Sequence, residues 1–210
     1  MHTAFILSSV YLSFNFHLTR RGIVDSAKGE RAMEWDTIIL NFIQSHLRCG
    51  FLDAVMPIIT ALGNNGAIWL VCSAVLLLFP KHRQAGAAVL TGLALEVLCC
   101  NIFLKPFVAR PRPCDVNTAV QLLIARPTDF SFPSGHTGSA FAATGALFFS
   151  KNRLWIVSLV LSVFIGFSRL YLYVHYPSDV LAGILIGIMS GWVGNAATMC
   201  VKKRFRKRHA

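Results

Sequence analysis

The chain has 210 residues, 55% of them hydrophobic and only 14% charged, and a mean hydropathy of +0.58; an ordinary soluble globular domain is excluded. The formal net charge is +11, yet the basic residues cluster between apolar runs and are not interleaved with aromatics on a polar surface, which excludes a nucleic-acid binder as the first reading. A membrane span needs about 20 mostly apolar residues, and several segments approach that length. The expectation is an all-α, polytopic transmembrane helical bundle of five to six spans.

Residues 1–32 form an N-terminal extension. Residues 4–18 are apolar but carry Asn15 and His17, and the Arg20-Arg21 pair follows the apolar run. A secretory signal has its positive charge in front, so this is a poor one. The more coherent sequence "MEWDTIILNF" opens at Met33, where translation is expected to begin.

Residues 33–65 make an interfacial or first membrane helix region. The apolar character of residues 37–47 is interrupted by Asn41, Gln44, Ser45 and His46, and residues 51–62 are too short to cross alone. Together they read either as a sixth span or as an interfacial helix followed by a partial one. "GNNG" at 63–66 reads as a turn.

A core of residues 66–201 follows, with spans predicted over 66–79, 84–104, 136–150, 154–172 and 179–201. In the last of these Gly183, Gly187 and Gly191 recur every fourth residue, a stripe that lets another helix approach closely. Lys81 and Arg83, Lys151 and Arg153, and "KKRFRKR" within a basic tail of residues 202–210 have the character of cytoplasmic loops. Alternation then opens the loops 105–133 and 173–178 on the outer face. Cys49, Cys72, Cys99, Cys100, Cys114 and Cys200 show no C-x-x-C pair or zinc-type spacing, and most lie inside apolar runs and read as small buried hydrophobes.

The two outer loops and the helix ends beside them collect the unusual polar residues. Lys105 and Arg112 lie at the end of one span and Arg169 in the last turn of another, where a lone cation near hydrocarbon is costly. One such residue would snorkel to lipid phosphates; three on converging segments surround an anion, and the planar fork of arginine suits a phosphoryl group. "PSGH" places Ser134 at an N-cap position and Gly135 where the backbone comes close to something, at a helix start whose free N–H groups favour phosphate-like anions.

His136 is not accounted for by a plain helix start. His175 has Asp179 four residues on, with Pro177 between them at the first position of a new helix. A carboxylate there reaches back to one imidazole nitrogen and leaves the other as nucleophile or base. His2, His17, His46, His82 and His209 have no such company. Glu96, deep in a span, reads equally as a packing residue and is left out of the site.

Lys105-x6-Arg112-Pro113, Pro133-Ser134-Gly135-His136 and Ser168-Arg169-x5-His175-x3-Asp179 resemble the three-part signature of the type 2 phosphatidic acid phosphatase superfamily, which includes the vanadium haloperoxidases. The resemblance covers roughly residues 66–201. In "RPRP" the spacing from Lys105 selects Arg112, leaving Arg110 as a neighbouring rim charge.

The resemblance implies that His175 attacks phosphorus to give a phosphohistidine, with Asp179 orienting it. His136 would protonate the departing oxygen and then activate water, while Lys105, Arg112, Arg169, the Ser134 hydroxyl and the Gly135 amide hold the phosphoryl oxygens. No cofactor or metal is then required, because fixed cations supply the charge stabilisation. A pocket at the extracytoplasmic membrane interface of an integral plasma-membrane protein implies a lipid phosphate or diphosphate as substrate. The compact size is similar to that of the bacterial branch, which points first to undecaprenyl diphosphate, with phosphatidylglycerophosphate and phosphatidic acid as alternatives. Vanadate-dependent halide oxidation and a non-catalytic lipid-phosphate binder or transporter are the competing readings.

Overall fold

The structure is a computed structural model and describes residues 34–208. The N-terminal extension, the expected start at Met33, and His2, His17 and His209 lie outside the described residues. Contacts divide the chain into two compact units, residues 1–39 and 40–210. In the first, the described residues 34–39 are helical. The second holds everything that follows, and no strand occurs among the described residues.

Helix α1 spans Gly50–Leu62 after an extended Cys49. It ends in a tight turn, Asn64–Gly66, in which Asn65 and Gly66 have φ of 52° and 66°, a left-handed conformation that asparagine and glycine adopt most easily. Helix α2, Ala67–Leu78, follows. Helix α3, Arg83–Val97, continues as a π-helical stretch, Leu98–Leu104, and closes on the helical turn Lys105–Val108. Helices α4, Gly135–Phe149, α5, Trp155–Tyr171, and α6, Pro177–Arg208, complete the bundle.

Helix α4 is the centre of this arrangement. It packs on α3, α5 and α6, and its residues from Thr137 to Leu147 are buried without a break. Small side chains on every face make this sheathing feasible, since a helix without a polar face belongs in an interior. The glycine stripe of α6 is the other half of the contact. A Cβ added at Gly183, Gly187 or Gly191 would stand 2.7, 2.4 or 2.5 Å from the carbonyl oxygens of Ser134, Gly138 and Ala142. The two backbones therefore touch, as the fourfold glycine spacing predicts.

Two helical segments, Arg83–Val116 and Pro177–Arg204, are each long and apolar enough to cross a membrane, and the pair α1 and α2, bent by 46°, makes a third if counted as one. Helix α5 is apolar but shorter. The region 37–62 does not form one continuous span, because the helical run ends at Leu47 and α1 begins afresh at Gly50. Residues 202–208, expected as a tail, instead prolong α6.

The C-terminal ends of α1, α3 and α5 and the N-terminal ends of α4 and α6 meet at one end of the bundle. The opposite end holds the basic clusters, tied together where Lys202 Nζ donates to Gln84 Oε1 at 3.2 Å and Asn152 meets His82 at 3.3 Å.

Candidate active site

All the residues picked out by spacing arrive at the end where five helix termini converge. Lys105 opens the last turn of the α3 extension and is buried. Arg112 precedes Pro113, which keeps it extended (φ −78°, ψ 155°) at the start of the short helical turn Pro113–Val116. That guanidinium is fully engaged. Its Nε donates to the Asp129 carbonyl at 2.8 Å, Nη1 donates to the Val174 carbonyl at 2.6 Å and lies 3.1 Å from His175 Nε2, and Nη2 donates to Asp129 Oδ1 at 2.7 Å. The same Asp129 pairs through its other oxygen with Lys105.

Arg169, in the last turn of α5, is also buried and donates from Nη1 to Thr60 Oγ1 of α1 at 2.5 Å. Its Nε has no hydrogen-bond partner.

His175 is 1% exposed and sits in the short connection between α5 and α6. Its Nδ1 lies 3.5 Å from Asp179 Oδ2, the i,i+4 approach expected from sequence, although at that distance the contact is longer than a hydrogen bond. Asp179 is completely buried. It accepts from Ser131 Oγ at 2.5 Å, the Tyr176 N–H at 2.9 Å and Arg110 Nη1 at 2.6 Å. Arg110, expected as a rim charge, is thus the ion-pair partner of the buried Asp179. A carboxylate this deep needs a cation and several donors to remain charged.

Burial, then the fields of Arg112, Arg169 and Lys105, push the pKa of His175 well below the usual histidine range. The imidazole is therefore neutral near pH 7, and its Nε2 faces the cations. For Asp129, burial opposes ionisation, but the hydrogen bond to Lys105 and the charge of Arg112 outweigh it and hold the carboxyl below the ordinary range.

At the start of α4, Ser134 occupies the N-cap position with extended backbone, but its hydroxyl bonds Thr137 Oγ1 at 2.9 Å and caps no backbone N–H. Its own N–H donates to the Asp179 carbonyl at 3.1 Å, pinning the start of α4 to α6. Gly135 is glycine for a steric reason: a Cβ there would stand 3.0 Å from Asn101 Oδ1. His136 bonds through Nε2 to Asn64 Oδ1 at 2.8 Å, so the turn after α1, legible in sequence only as "GNNG", orients this histidine.

A cavity of about 1000 Å³ opens here. Lys105, Asp129, Gly135 and His136 line its polar end, and Leu70, Leu90, Leu93 and Val97 are among its apolar walls. Glu96, set aside in the sequence reading, is wholly buried and lines the same cavity. It sits against Gly138, whose added Cβ would fall 2.3 Å from Glu96 Oε1.

Chemically, the arrangement offers a neutral imidazole behind a cluster of cations, a second imidazole at the mouth, and an apolar trough leading away. No spacing rule pointed to Asp129, Ser131 or Asn64, which lie in turn and loop segments without a repeat.

The profile of the PAP2 superfamily matches residues 85–205. The chain is 32% identical over 139 residues to an undecaprenyl-diphosphatase of Sulfolobus acidocaldarius, covering 65% of this chain and 66% of that protein. It is 32% identical over 123 residues to a lipid A 4'-phosphatase of Bacteroides thetaiotaomicron, covering 53% and 55% respectively. The chain therefore spans between about half and two thirds of the length of these curated relatives. Among solved structures it is similar to a transmembrane PAP2 type phosphatidylglycerolphosphate phosphatase from Bacillus subtilis, with a TM-score of 0.66, 25% identity, and coverage of 90% of this chain and 94% of the other.

Proposed function

Since the chain belongs to the PAP2 superfamily, we propose that it is a membrane lipid phosphatase that hydrolyses a lipid phosphate or diphosphate through a phosphohistidine, without a metal. The observation that carries this reading is the cavity itself, which has Lys105 and His136 at one end and aliphatic walls behind them. Such a shape fits a phosphoryl head group with its tail in the apolar part.

In the proposed cycle the Nε2 lone pair of His175 attacks phosphorus, and the bond from phosphorus to the lipid oxygen breaks. His136 gives a proton to that oxygen. Water then attacks the phosphohistidine, His136 takes the water's proton, and the P–N bond breaks to release phosphate and restore neutral His175. Lys105, Arg112 and Arg169, with the Ser134 hydroxyl and the Gly135 amide, stabilise charge on the transferring group, which is most of what phosphoryl transfer asks of a protein. Asp179 positions His175, and Arg110 and Ser131 hold Asp179.

The substrate proposed first is undecaprenyl diphosphate, the substrate type named for the relative from Sulfolobus acidocaldarius. Phosphatidylglycerophosphate is the second reading, favoured by the similar structure from Bacillus subtilis, and phosphatidic acid the third. We place the site on the outer face of the plasma membrane, on the strength of the basic clusters at the opposite end, with α1 to α6 supplying five to six crossings.

The test is phosphate release by the purified chain in detergent with EDTA, from the three lipids side by side, with His175→Ala as control. Release that persists in chelator and vanishes in the variant is expected. No release from any of them by folded protein would sink the catalytic reading in favour of a lipid-phosphate binder.

A further inference from the structure

The nucleophile does not reach the cavity. His175 and Arg112 are both buried, and neither lines the space that Lys105 and His136 line. One side chain bridges the two groups. Asp129 lines the cavity, pairs with Lys105 through Oδ2, and accepts from Arg112 Nη2 through Oδ1 at 2.7 Å. Arg112 in turn is 3.1 Å from His175 Nε2. The Asp129 carboxylate thus holds the two cations that a phosphoryl group would need, one of which, Arg112, also touches the reacting nitrogen.

Its backbone is anchored while its head is movable. The carbonyls of Asp129 and Phe130 accept from Arg112, and the Ser131 N–H donates to the Arg110 carbonyl at 2.9 Å. The Asp129 side chain itself is 51% exposed, so rotation about its own bonds can free both cations without unfolding the loop.

We propose that Asp129 is a specificity-determining residue: its carboxylate is a built-in competitor that occupies the phosphoryl seat at rest and yields to a terminal phosphate but not to a phosphodiester. The proposal rests on the phosphatase reading above. A phosphate monoester or terminal diphosphate brings close to two negative charges near neutral pH, whereas the phosphodiesters of bulk membrane lipids bring one. A monoanion gains little by displacing another monoanion that is already tethered. A dianion with three acceptor oxygens gains from Lys105 and Arg112 together. A bare cationic seat facing a bilayer would otherwise be occupied by the lipids around it.

The experiment uses the full chain in detergent micelles with and without phosphatidylglycerol, comparing wild type, Asp129→Asn and Asp129→Glu. Calorimetry gives the affinity for inorganic phosphate, and turnover of the preferred lipid phosphate gives inhibition by phosphatidylglycerol. Asp129→Asn is expected to bind inorganic phosphate about fivefold more tightly, the upper end of what a partly exposed ion pair contributes, and to become inhibited by phosphatidylglycerol at mole fractions that leave the wild type unaffected. Asp129→Glu, which keeps the charge, should stay near wild type and serves if the asparagine variant folds poorly. Equal or weaker phosphate binding in Asp129→Asn, with no new inhibition, overturns the proposal and makes Asp129 a positioning residue for Lys105 and Arg112; phosphate binding by the wild type would still uphold the phosphate site. If neither protein binds phosphate, both readings fail.

Discussion

Both ends of the bundle are rich in cations, yet they are built in opposite ways. At the convergent end Lys105, Arg112 and Arg169 are buried and are held by Asp129, the Val174 carbonyl and Thr60. At the far end Lys81, Arg83, Lys151, Arg153 and Lys202 are exposed, and their contacts are single and solvent-facing, such as Arg83 Nε to the Leu77 carbonyl at 3.1 Å. Charge in water is cheap and marks topology. Charge kept out of water has to be matched by fixed partners, and that matching is what makes a pocket selective for one anion.

The contrast can be broken by substitution, beginning with the strongest effect. His175→Ala would remove the proposed covalent route and should lower phosphate release by more than about 10⁴-fold, a larger loss than general acid–base help alone accounts for. A variant retaining more than a hundredth of the activity would mean that another group attacks phosphorus. His136→Ala should slow turnover by about 10² to 10⁴ while substrate still binds, which separate kcat and KM measurements will show.

Arg112→Lys keeps the charge but cannot reproduce contacts to Asp129, Val174 and His175 at once, and a loss of roughly 10- to 100-fold in kcat/KM is expected. Full activity would argue against the fork. The pH profile sharpens the contrast further. An ordinary histidine would lose about fourfold of its neutral form between pH 7.5 and 6. The pKa of His175 lies well below 6.5, so protonation that disables it sets in only at lower pH. In the His136→Ala variant kcat/KM should therefore fall by only about twofold across that interval, the share lost as the lipid phosphate itself takes up a proton near pH 6; a fall of about eightfold would place His175 in an ordinary setting. The smallest effect belongs to the far end. Lys81→Gln with Arg83→Gln should leave turnover within about twofold and shift stability by no more than about 0.5 kcal/mol, measured by phosphate release and thermal unfolding.

Sequence spacing located His136, His175, Asp179 and the three cations because each sits on or beside a helix terminus, where periodicity fixes which residues share an end. The glycine stripe of α6 was legible for the same reason. Arg110 was misjudged as a rim charge, since the spacing that selects Arg112 says nothing of what a buried Asp179 needs. Asp129, Ser131 and Asn64 lie in irregular stretches, where partners are chosen by the tertiary path of the loop and not by any repeat. The helix count was harder still: α1 and α2 are separated by a turn whose 46° bend depends on two left-handed residues and on packing, and the region 37–62 breaks at Arg48-Cys49, where the lone Gly50 that follows is too weak a signal by itself to tell a break from an ordinary helix residue.

Helix α6 runs unbroken for 32 residues from Pro177, two residues after His175, to Arg208. At 1.5 Å per residue it is about 48 Å long, against roughly 30 Å of hydrocarbon. A rod of that length cannot shorten when the bilayer thins; it tilts or rises, and Asp179 in its first turn travels with it. On the proposed membrane placement, bilayer thickness would then set the height at which the convergent end of the bundle sits.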